Sequence, residues 1–108
     1  MAIVGQEKRV FIDPLDITRK FVSTEHDILE AMYIVNRKIH CSGKATVNYL
    51  YEWLGIDGTN YGEILGWTSW VDYMLHKDPE DNFKPIEIVF TTHPVNLESE
   101  RRKNNEKI

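Results

Sequence analysis

Cysteine is all but missing from this chain. Among 108 residues only Cys41 carries a thiol, so no disulfide can close within it. That usage fits a reduced, intracellular setting. Long apolar runs are missing too: no stretch approaches the ~18–20 apolar residues needed to span a bilayer. The start, Met1-Ala2-Ile3-Val4-Gly5-Gln6-Glu7-Lys8, lacks the basic-then-apolar layout of a secretory signal. The chain as written is therefore expected to be neither exported nor membrane-embedded. Basic charge is in the minority, with 13 Lys and Arg against 17 Asp and Glu, a net of −4. Phosphate binding draws on clustered Lys and Arg, so nucleic acid is not an expected partner. The balance suits solubility and docking on a basic protein surface.

Chemistry-bearing motifs are also lacking. His26, His40, His76 and His93 show no metal-ligand spacing. Asp57, Asn60 and Glu63 fail the alternating-acid pattern of a calcium loop, and the glycines fail both phosphate-loop patterns. His40 and Cys41 are adjacent, and neighbours on a helix point about 100° apart, which excludes a nucleophile–base dyad. A buried or half-buried structural thiol is expected instead. No catalytic residue, metal or cofactor is expected, and the chain is not expected to be an enzyme.

What is present is enough apolar material, 42% of residues, for a single core. Arg9-Val10-Phe11-Ile12 and Ile17 to Val22 read as strands around the turn Asp13-Pro14-Leu15-Asp16. Ser23 or Thr24 can cap a helix running to Gly43, with Ile28, Leu29, Met32, Tyr33, Val35, Asn36 and Ile39 on its broad apolar face. A second helix starts after Thr46, buries Val47, Leu50, Tyr51 and Leu54, and stops at Gly55. Residues 55–68, dense in glycine, read as a structured loop. Ser69–Leu75 and Ile86–Thr91 read as a second strand pair, with Ile86, Ile88 and Phe90 facing the helices. The expected fold is α+β: an N-terminal β-hairpin, two packed helices, a Gly-rich loop, a C-terminal β-hairpin and a small antiparallel sheet. Residues 1–7 form an arm, 8–95 the single domain and 96–108 a flexible charged tail.

The aromatics are the most suggestive feature. Trp53, Tyr61, Trp67, Trp70 and Tyr73 fall within 21 residues, and Trp and Tyr dominate binding hot spots. The competing use of such rings is to close the core. The candidate protein-binding surface is Trp53, Tyr61, Trp67 and Trp70, with Asp57 and Glu63 at its rim.

The run Ala45 to Gly55, followed by Thr59 to Trp67, resembles an uncharacterised family of proteins encoded in phages and prophages of Gram-positive gut bacteria. The family pattern is Tyr-x-x-Leu-Gly, then Tyr-Gly-x-x-Leu-Gly-Trp. Tyr51, Leu54, Gly55, Tyr61, Gly62, Leu65, Gly66 and Trp67 match it. The segment from Ser23 to Arg37 is similar as well, and the likeness extends over roughly residues 9–91. Longer members carry an N-terminal hydrophobic segment that does not occur here, so membrane association is not carried over. The resemblance implies provenance, with no activity to transfer. The expected function is that of a phage- or prophage-encoded accessory protein that binds a host or phage protein in the bacterial cytoplasm. Homo-oligomerisation is left open. Three alternatives make different predictions. An acidic inhibitor of a host nuclease or defence protein would bind less well as salt rises. A virion or assembly component would oligomerise. An enzyme using Asp72, His76 and His93 would gather them in a polar cleft.

Overall fold

The computed structural model describes residues 7–81 and 83–98. The expected arm lies outside them apart from Glu7, and the expected tail apart from Asn96, Leu97 and Glu98.

The N-terminal hairpin is as expected. Strands β1 (Arg9–Asp13) and β2 (Asp16–Ser23) run antiparallel, with Val10 opposite Val22 and Phe11 opposite Phe21. The Asp13 carboxylate tightens the turn by accepting the Leu15 amide at 2.9 Å, a local bond for which Asp is suited. Phe11 is fully buried, and its ring stacks on Phe21 with centroids 5.9 Å apart.

Helix α1 (Glu25–Ser42) begins where Thr24 accepts the Asp27 amide at 3.0 Å and ends at Gly43, whose φ of 85° only glycine adopts without strain. Ile28, Ala31, Met32, Val35, Asn36 and Ile39 are its buried stripe. Leu29 and Tyr33, expected on that face, are 60% and 62% exposed. They follow Ile28 by one and five residues, about 100° and 140° round the helix, which turns both off the core. Cys41 is exposed rather than buried, because it projects from the solvent side of the same helix. After a short strand β3 (Ala45–Thr46), helix α2 (Val47–Leu54) is capped by Thr46, which accepts the Tyr49 amide at 3.1 Å. Val47, Leu50, Tyr51 and Leu54 are buried, and Gly55 closes the helix at a φ of 76°.

Residues 55–68 are more regular than expected. A 3-10 turn (Tyr61–Glu63) leads into strand β4 (Leu65–Trp67), which pairs antiparallel with β3 and with β7 (Val95–Asn96). A Cβ on Gly66 would collide with the Ala45 carbonyl, so this glycine serves the close approach of two strands rather than a turn.

The next strand is shorter than the expected Ser69–Leu75. Strand β5 (Tyr73–His76) starts late because the Val71 backbone is already bonded to the Asn36 side chain and cannot join a ladder. β5 pairs antiparallel with β6 (Ile86–Phe90), whose Ile86, Ile88 and Phe90 are all buried. β6 in turn runs parallel to β1, giving the strand order β2-β1-β6-β5. The architecture is thus α+β, with two hairpins fused through a parallel centre and a second, three-stranded sheet, β3-β4-β7. Trp67, Tyr51, Phe11, Ile28 and Ile86 fill the shared core. The hydrogen bond from the Leu97 amide to the Ile64 carbonyl, at 2.9 Å, carries ordered structure past the residue where the tail was expected to begin. No helix among the described residues is long and apolar enough to cross a membrane.

Candidate functional site

Two asparagines shape the surfaces on which the candidate residues sit. Asn36, 5% exposed, donates its amide to the Val71 carbonyl at 3.1 Å and accepts the Val71 amide at 2.7 Å. Asn48 grips Thr59 in the same way, at 2.8 Å for both bonds, and also donates to Glu63 Oε1 at 2.7 Å. Each side chain acts as a one-residue piece of β-ladder and holds a loop against its helix.

Trp67 leaves the candidate surface altogether. It is 1% exposed, donates its indole N–H to the Thr92 carbonyl at 2.9 Å and packs edge-on to Phe90 at 5.1 Å. Trp53, on the outer side of α2, is 50% exposed and meets Tyr49 edge-on at 6.5 Å. Trp70 is 64% exposed, and its indole N–H donates to Asp72 at 3.0 Å. These two tryptophans do not share a surface. Trp70 lines a shallow depression with Leu29, Met32, Tyr33 and Tyr73. Trp53 lines a different groove with Asp27, Glu30, Ala31 and Ile34. At about 100° per residue, the two sets occupy opposite flanks of α1.

Asp57, Tyr61 and Glu63 belong to a third place, between the N-terminal hairpin and α2. The Asp57 carbonyl accepts Arg19 at 2.7 Å, the Tyr61 hydroxyl lies 3.3 Å from that of Tyr51, and Glu63 is engaged by Asn48. Behind them Asp13, with a fully buried carboxylate, takes Arg19 Nε at 2.9 Å and the Tyr51 hydroxyl at 2.9 Å. The Arg19 guanidinium stands 4.7 Å from the centre of the Tyr51 ring. Burial, then hydrogen bonding to Tyr61 and Asp13, pushes the Tyr51 phenol well above its ordinary value. Burial also raises Tyr73, helped by the nearby Glu25 charge. The spacing of Asp13, Arg19 and Tyr51 in the sequence carries no signal of this network; an Asp beside a turn proline reads only as turn chemistry.

Asp72 and His76 sit at opposite ends of the β5 segment, about 13 Å apart along an extended chain, and Asp72 is occupied by the Trp70 indole. His93 lines a groove beside Ile12, Leu15, Ile17 and Glu87. Among the described residues, His26, Asp27 and Glu30 bring potential metal-ligand atoms within 4.8 Å of one another, all three exposed on the first turns of α1.

The family model for a family of unknown function, DUF6353, matches residues 1–99, and the chain belongs to that family. No curated protein and no solved structure matches it.

Proposed function

We propose that this chain is a non-catalytic domain, encoded by a phage or prophage, that acts in the bacterial cytoplasm by binding another protein. The observation that carries the reading is the patch on the β5 side of α1. Leu29, Tyr33 and Trp70 stand 60%, 62% and 64% exposed around a floor of buried Met32 and Val71. An apolar side chain alone on a surface is ordinary, but three large ones around one depression form the type of patch that marks an interface. Asn36 fixes the backbone that presents Trp70, so the patch is organised before any partner arrives. The phage or prophage setting is supported by the Tyr-x-x-Leu-Gly and Tyr-Gly-x-x-Leu-Gly-Trp resemblance.

The test is affinity capture from the cells that carry the gene, with the tagged chain and a Leu29→Ser/Trp70→Ala variant side by side. One protein retained in stoichiometric amount by the wild type and lost by the variant supports the reading. Equal retention by both, or no retained protein together with a stable homo-oligomer by light scattering, overturns it.

A further inference from the structure

The groove on the other flank of α1 differs in character from the Leu29–Tyr33–Trp70 patch. Its floor is apolar, made by Ala31, Ile34 and Leu54, and one wall is the half-exposed indole of Trp53. Three carboxylates, Asp27, Glu30 and Glu52, stand round it, all exposed. The ion pairs to Lys or Arg among the described residues engage Asp13, Glu25 and Asp78, none of which lines the groove. The His26 ring stands 3.8 Å from Asp27. The groove also meets the end of α2 at Leu54 and Gly55, where the terminal carbonyls add negative potential and no basic residue occupies the last turn.

We propose that this groove docks a cationic segment of a partner protein, one that lays an arginine against the Trp53 indole and sets neighbouring basic residues among Asp27, Glu30 and Glu52. Each component of the site selects for this chemistry. An indole face attracts a guanidinium through its quadrupole, and arginine both stacks on the ring and forks to a carboxylate, which lysine cannot do. Three carboxylates with no Lys or Arg ion pair among the described residues, beside a helix C-terminus, repel an acidic segment and draw in a basic one. The aliphatic stems of arginine would cover Ala31, Ile34 and Leu54. This surface is independent of the Trp70 patch, so either can fail without the other.

The probe is a dye-labelled twelve-residue peptide of alternating arginine and alanine, added to the full chain, with a glutamate–alanine peptide as control. The arginine peptide should shift the Trp53 indole and the Ala31 and Ile34 amide resonances, and its binding should fade as salt rises from about 50 to 300 mM. Glu30→Gln/Glu52→Gln and Trp53→Ala should each weaken it by about tenfold or more. Trp70→Ala should leave it unchanged. Glu80→Gln/Glu87→Gln, which removes the same charge at exposed positions elsewhere, should change it by less than about twofold. Absence of binding, equal weakening by the two double variants, or shifts confined to other surfaces would overturn the proposal. So would tighter peptide binding to a chain ending at Glu98, with the Trp53 indole already displaced by that truncation, because the occupant would then be the chain's own Arg101-Arg102-Lys103.

Discussion

The Tyr51 hydroxyl donates to the Asp13 carboxylate at 2.9 Å, across 38 residues of sequence, and so ties the turn of the N-terminal hairpin to the buried face of α2. Asp13 holds Arg19 through its other oxygen, and Arg19 continues to the Asp57 carbonyl. One buried charge therefore organises the hairpin, α2 and the loop after it.

Tyr51→Phe keeps the ring and removes only this hydrogen bond and the contact with Tyr61. Hydrogen bonds to charged groups contribute about 1.5–3 kcal/mol, so urea unfolding should show a loss in that range. Arg19→Ala should cost more, about 3 kcal/mol, because it strands a buried carboxylate. The double variant should lose less than the sum, since both act on Asp13. Strict additivity would mean the three groups are not coupled.

The raised Tyr51 and Tyr73 phenols give stability a pH dependence. In the unfolded chain both tyrosines ionise near pH 10, whereas burial holds them protonated above that pH in the folded chain. The folded state binds more protons there, so the stability is fully present below about pH 10 and falls as pH rises beyond it. Urea unfolding at a series of alkaline pH values should show that decline, with a shallower slope in Tyr51→Phe. An unchanged slope in the variant would remove Tyr51 from this role.

Asn36→Leu should be destabilising despite adding apolar volume. It leaves the buried Val71 N–H and C=O without partners, at about 1–3 kcal/mol for each group. The loss should be local as well as global: exchange of the Val71 amide should speed up more than that of Ile88 on β6. Uniform acceleration at both amides would show that Asn36 contributes no local clamp.

The two neighbouring tryptophans should behave in opposite ways. Trp67→Ala empties a core site and should cost about 3–5 kcal/mol. Trp70→Ala removes an exposed ring and one surface hydrogen bond, and should stay within about 0.5 kcal/mol of wild type. Thermal melts of the two variants are enough to check this, and similar midpoint shifts would contradict the assignment of Trp70 to a surface.

Much of the fold was legible in the sequence because local physics fixed it. Thr24, Gly43, Thr46 and Gly55 cap and end the two helices where their side chains and φ values require. Alternation along Ile86–Phe90 and Ile17–Val22, with the β-rich Arg9–Ile12 before the turn, marked the strands. The candidate site was less legible. Trp53 and Trp70 were recognised as surface candidates, yet nothing in their spacing says that α1 stands between them. Trp67 carried the same aromatic signal and is core. The late start of β5 and the strand character of Leu65–Trp67 were hidden, since both depend on partners distant in sequence, Asn36 for one and Ala45 and Val95 for the other.

The sequence by itself determined the helices, the hairpins, the acidic balance and the α+β class, because caps, turns and side-chain periodicity act over a few residues. Only the tertiary structure decided that β1 and β6 pair in parallel, that Asp13 is buried against Arg19 and Tyr51, and that a carboxylate-rimmed groove and an apolar patch lie on opposite flanks of one helix. Those features join residues tens of positions apart, and their energies depend on burial and distance, which exist only once the chain has closed on itself.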